Sequence, residues 1–170
     1  MQISHRNWAW ATVCLAMALL PIALLAQEGM VLTKDELPRV VPAGFYFEGK
    51  IAATQMDNAT AVKFGENRHV IAALVDTSGY ATAVREKVEG FLIADLPVRI
   101  GGKDLGVGTY AFGFTKDGML NVFDLAGAPL LSVKATRDSK LRAPRPLAMV
   151  KGADGIRLYS AKDYVIVAPK

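Results

Sequence analysis

From Gly44 to the C terminus, short β-branched or aromatic runs alternate with turn residues, the pattern of strands joined by tight connections. The runs fall at 45–47, 51–56, 61–64, 70–75, 91–93, 97–100, 109–115, 119–123, 129–135, 147–150, 156–160 and 164–167. Asp117-Gly118 and Asp154-Gly155 stand between such runs, and Asp-Gly is the strongest local signal for a two-residue hairpin. Ala126-Gly127 and Lys162-Asp163 occupy similar places. Neighbouring strands joined this way pair antiparallel. The expected fold is mainly β: a single antiparallel β-sandwich or β-barrel domain over 45–170.

One segment departs from period two. Tyr80, Val84, Val88 and Phe91 recur at helical spacing, with Arg85, Glu86, Lys87 and Glu89 between them. This predicts a short helix over about Gly79–Glu89, with Ser78 as N-cap beside Asp76 and Gly90 as terminator. An irregular strand is the alternative. In the run at 109–115, Tyr110, Phe112 and Phe114 share one face, while Ala111, Gly113 and Thr115 share the other.

The chain before Gly44 has a different composition. Arg6 is followed by an almost wholly apolar stretch from Val13 to Ala26, which reads as an export signal peptide over 1–26. A bilayer span needs about 20 apolar residues; this stretch is shorter and contains Pro21. Membrane contact is therefore expected only through an uncleaved leader, and the domain is expected in the periplasm or outside the cell. Cys14 stands at the start of the apolar run rather than after it, which does not suit lipid attachment. Residues 27–44 are polar and broken by Pro38 and Pro42, and read as a flexible N-terminal linker.

Cleavage after Ala26 changes the chemistry available. It removes Cys14, the single cysteine, and His5, one of two histidines, leaving a net charge of +3. A thiol-free domain has no disulfide, cysteine nucleophile or cysteine-ligated metal. With His69 its sole histidine, it is expected to hold no metal and no cofactor.

The run ending at Val75 delivers Asp76-Thr77-Ser78-Gly79-Tyr80, which resembles the catalytic turn of aspartic peptidases. That family places Gly directly after the hydroxyl residue, where Ser78 stands here, and it needs two carboxylates sharing a proton. A turn-closing or helix-capping Asp76 is the simpler reading, and a hydrolase centred on Asp76 is the more distant one. Ser78 lacks the glycines of a nucleophile elbow, and His69 reads as a strand-end residue rather than a general base. Gly101-Gly102-Lys103-Asp104-Leu105-Gly106-Val107-Gly108 leads into a strand rather than a helix, so it reads as a hairpin turn and not as a phosphate loop.

Lys134, Arg137, Lys140, Arg142, Arg145 and Lys151 are accompanied by one acid, Asp138. Pro144 and Pro146 keep the chain around Arg145 extended. Arg137, Lys140, Arg142 and Arg145 are the candidate contacts to an anionic polymer, an anionic surface or an envelope protein. Without interleaved aromatics, nucleic acid is not the expected partner.

Three segments carry a resemblance: Val75-Asp76-Thr77-Ser78-Gly79-Tyr80, then 106–114 (Gly106-Val107-Gly108-Thr109-Tyr110-Ala111-Phe112-Gly113-Phe114), then Arg142-Ala143-Pro144-Arg145-Pro146-Leu147. They look like segments of uncharacterised exported bacterial β-rich proteins. The resemblance implies a small secreted β domain and transfers no functional residue. The expected function is non-enzymatic binding at the cell envelope. The alternative is carriage of a small apolar ligand inside a barrel, against Tyr110, Phe112 and Phe114.

Overall fold

The structure, a computed structural model, describes residues 29–170. The leader read at 1–26 lies outside the described residues. The first sheet contains β1 (Met30–Val31), β2 (Gly44–Phe47), β3 (Lys50–Phe64), β4 (Arg68–Val75) and β5 (Gly90–Ala94). The second begins with β6 (Val98–Ile100) and β7 (Lys103–Leu105). The chain returns to the first sheet for β8 (Gly108–Phe114), β9 (Met119–Phe123) and β10 (Pro129–Lys134). It ends in the second with β11 (Thr136–Arg137), β12 (Arg145–Gly152), β13 (Gly155–Ala161) and β14 (Asp163–Pro169). The first sheet runs β1-β3-β4-β5-β8-β9-β10, with β2 added on β3; the second runs β12-β13-β14-β6-β7, with β11 on β14. Every pair is antiparallel. Neither sheet closes on itself, so the fold is a β-sandwich rather than a barrel.

Alternation builds the interior between the sheets. Val62, Phe64, Val70, Ala72, Leu92 and Phe112 from the first sheet meet Val98, Ile100, Met149, Leu158, Val165 and Val167 from the second. A side chain tacks the sheets together at each lateral edge. Met149 N donates to Thr60 Oγ1 at 2.9 Å, and Lys103 Nζ donates to the Ser132 carbonyl at 2.8 Å.

The outer face of the first sheet is apolar as well, which is why β4 reads as a nearly unbroken apolar run. Ala61, Ile71, Ala73, Val75, Phe91 and Ala111 pack there under Leu37, Val41, Phe45 and Phe47. Phe45 stacks on Phe91 with ring centres 5.1 Å apart.

This second core corrects the expected linker. Within 29–44, Met30 and Val31 pair with Lys63 and Val62 of β3. A 3-10 turn at Leu37–Arg39 then buries Leu37. The segment is held because the exposed apolar face of the sheet needs a cover.

The helix is also shorter than expected: α1 spans Thr82–Arg85. Its N-cap is Ala81, whose methyl side chain has no acceptor for a cap, while the expected cap Ser78 stays in the preceding turn, its N–H donating to Asp76 Oδ1 at 2.9 Å. The helix stops before Gly90 because Glu89 already belongs to the ladder: its N–H donates to Phe112 O and its carbonyl accepts from Val75 N. The stripe of Tyr80, Val84, Val88 and Phe91 nonetheless packs on one apolar cluster.

The glycine-rich segment forms the expected hairpin. Gly101 and Gly102 have φ of 54° and 84° and link β6 to β7 with Ile100 opposite Lys103, the backbone that glycine adopts without steric cost. The Asp-Gly pairs do not occupy the two centres of their turns. Gly152 pairs with Gly155, which places Ala153 and Asp154 there instead. Asp117-Gly118 lies in a longer turn closed by Thr115 N to Met119 O.

Candidate functional site

Asp138 is the anchor of the basic loop. β11 pairs Thr136 with Tyr164 and Arg137 with Asp163, and the next residue donates its N–H to Lys162 O at 2.8 Å. The Asp138 carboxylate then accepts from Lys140 N at 3.0 Å and from the Tyr159 hydroxyl at 2.8 Å. The Tyr159 hydroxyl is the main cause that holds this carboxyl below the usual aspartate range.

Tyr159 is only 4% exposed although Leu158, its neighbour in β13, points into the inter-sheet core. It therefore lies on the opposite face of the second sheet, its ring 5.1 Å from that of Tyr164. The Arg145 guanidinium sits 5.7 Å from the Tyr159 ring centre, and that of Arg157 sits 4.4 Å from the Tyr164 ring centre. Arg157 is further held by Asp154 at 2.7 Å, which raises its already high pKa.

The four candidate cations are treated differently by this scaffold. Arg137 pairs with Asp163 at 3.4 Å while remaining 71% exposed. Lys140, Arg142 and Arg145 are exposed, and among the described residues none of them forms an ion pair. The chain from Arg137 to Arg145 is thus a pinned loop whose later cations face solvent.

Behind the loop lies a cleft of about 500 Å³, lined by Pro144, Arg145 and Pro146 on one side and by Leu74 and Glu89 on the other, with Gln55 and Ser160 also on its wall. Glu89 is positioned through its backbone, one residue before β5. Its carboxylate accepts from Phe114 N at 3.2 Å. Burial pushes the Glu89 carboxyl up, opposed by that N–H. A partly buried carboxyl in a cleft, with its proton affinity shifted, marks a candidate binding position.

The other sequence-derived candidates lie elsewhere. The Asp76 carboxyl is held below its ordinary value by the Ser78 N–H, an Asx turn rather than a shared-proton pair. Thr77 follows in the same turn, with its carbonyl accepting from Tyr80 N at 3.0 Å. The Tyr80 hydroxyl reaches the carbonyls of Phe47 and Lys50 at 3.2 and 3.0 Å, so the 76–80 segment clasps the β2–β3 hairpin. Tyr110, Phe112 and Phe114 pack into the inter-sheet core; Phe112 is 1% exposed, and the Tyr110 hydroxyl closes a turn onto Gly106 O at 3.1 Å. His69 lies 3.6 Å from the Asp95 carboxylate.

Sequence reading missed Glu89, Arg157, Tyr159 and Tyr164. The available signal was the alternation Ile156-Arg157-Leu158-Tyr159, which places an aromatic residue beside a cation on the face away from the core. No protein-family model, curated protein or solved structure matches this chain.

Proposed function

We propose that the protein is an exported, non-enzymatic β-sandwich that binds an anionic polymer or surface at the cell envelope through the loop between β11 and β12. The supporting observation is that Lys140, Arg142 and Arg145 carry no acidic partner among the described residues, on a loop fixed by the bond between Asp138 and Tyr159. Holding the loop in advance lowers the ordering cost of a multidentate contact. Exposed cations of this kind act at long range and are screened by salt.

The test is retention on envelope fractions at low ionic strength. Replacing Arg137, Lys140, Arg142 and Arg145 together by serine should abolish retention, and added salt should release the unmodified protein. Unchanged retention of the quadruple variant would overturn the reading.

A further inference from the structure

Charge is divided unequally along this chain. Residues 134–170, which supply β11 to β14, carry nine lysines and arginines against three acids, a net of +6 within a chain of +4. The rest of the chain is therefore net acidic. The three acids are already engaged: Asp138 by the Tyr159 hydroxyl and Lys140 N, Asp154 by Arg157, and Asp163 by Arg137. Lys140, Arg142, Arg145 and Lys162 have no acidic partner among the described residues. The fold gathers these four. Arg145 pairs with Ala161 in the ladder, and Asp138 N donates to Lys162 O at 2.8 Å. Both ends of the basic loop thus rest on the β13–β14 turn, whose two central residues are Ala161 and Lys162. The Arg145 guanidinium, 5.7 Å from the Tyr159 ring centre, meets no acceptor among the described residues. Its position is set by a ring while its N–H fork stays available.

The surroundings of the four cations select among polyanions. The exposed large apolar side chains are Met30, Tyr46, Ile51, Val107, Leu125 and Leu130, and none lies within 134–170. A lipid surface is held through apolar side chains as well as charge, and a protein partner through an apolar interface core. Single-stranded nucleic acid needs free aromatic faces, yet Tyr159 is buried and the Arg157 guanidinium lies 4.4 Å from the Tyr164 ring centre. We infer that the anion bound here is an acidic polysaccharide, its carboxylate or sulfate groups taken by Arg145, Lys162, Lys140 and Arg142; this rests on the anion-binding reading and narrows it to one polymer. The Arg145 fork matches paired anionic oxygens. Pro144 and Pro146 on either side are exposed, and their rigid rings offer apolar surface to the C–H face of a sugar. Glu89 opens on the cleft behind the loop, so the polymer crosses the outer side.

The test is titration of the purified protein at low ionic strength with polygalacturonate and with dextran sulfate, beside polyglutamate and phosphatidylglycerol vesicles. Saturable binding to at least one polysaccharide is expected, about tenfold tighter than to polyglutamate or to the vesicles. Arg145→Lys keeps the charge but loses the fork, and should weaken polysaccharide binding about tenfold. Lys162→Ser should also weaken it and make it less sensitive to salt. Absence of binding to both polysaccharides would overturn the inference, as would equal binding of polyglutamate or vesicles, or undiminished binding by Arg145→Lys. If the quadruple serine variant loses envelope retention while vesicles or polyglutamate bind as well as the polysaccharides, the anion-binding reading stands and this inference alone fails. Unchanged retention of that variant overturns both.

Discussion

The hydroxyl of Thr60, in the middle of β3, accepts the backbone N–H of Met149 in β12 at 2.9 Å, in a buried position. Apart from the Tyr159 hydroxyl, Thr60 carries the one buried polar side chain among the described residues. Its bond satisfies a backbone donor that no ladder partner reaches, since β12 is the end strand of its sheet.

Thr60→Val should therefore destabilise the protein by about 1–3 kcal/mol, the cost of leaving a buried N–H unpaired. Thr60→Ser keeps the acceptor and should lose less. Denaturant unfolding of both variants checks the order, and equal stability of Thr60→Val and the parent would show that the bond contributes nothing.

Gly113 lies in β8 where α1 leads back to the sheet. A Cβ built on it would overlap the carbonyl oxygen of Lys87, a backbone atom that cannot rotate away. Gly113→Ala should cost about 1–3 kcal/mol through the backbone shift it forces. A thermal midpoint equal to the parent's would contradict the close approach.

Glu89 should make stability pH-dependent. Its folded carboxyl holds a proton to higher pH than the ordinary value of 4.5. The folded state therefore binds more protons in that window, and stability falls as pH rises through the folded value. Glu89→Gln removes this cost. In the absence of ligand, it should exceed the parent in stability at neutral pH and converge with it below about pH 4. A difference that does not vary with pH would assign the effect to packing.

The bond between Tyr159 and Asp138 should control access to the basic loop. Tyr159→Phe keeps the ring beneath the loop but removes the 2.8 Å hydroxyl contact. Trypsin should then cut after Lys140 and Arg142 faster than in the parent, while the sandwich retains its far-ultraviolet spectrum. Unchanged cleavage would mean that the backbone pairing of β11 holds the loop alone.

Much of the sandwich is legible in the residues, because alternation and turn chemistry are local signals. The β6–β7 turn at Gly101-Gly102 and the aromatic face of β8 follow from a handful of positions. Elements that depend on distant partners are not legible. Leu37 and the adjacent Val40-Val41 stand among polar residues and prolines, with no period to show that they cover a sheet. The spacing of Tyr80, Val84, Val88 and Phe91 predicts a longer helix because a short helix followed by a strand can turn the same residues to one core. β3 runs on through Gln55-Met56-Asp57-Asn58, where its register against β4 shifts between Thr54 and Ala59; local polarity there reads as a break. The candidate site divides in the same way. The cations are visible as a charge run, whereas Glu89 reads as the polar side of a helix until the strands place it in a cleft.

Phe45 and Phe47 precede in the chain nearly every strand they cover. Phe45 rests on Phe91, and the same apolar cluster extends to Ala111 in β8. A polypeptide emerging N terminus first, from a ribosome or through a membrane pore, thus displays these aromatics before the surface that receives them exists. The N-terminal cover is made first and seated late. Contacts so distant in sequence form slowly, and until β8 has joined the sheet those rings lack part of their cover and are open to aggregation or to capture by a chaperone.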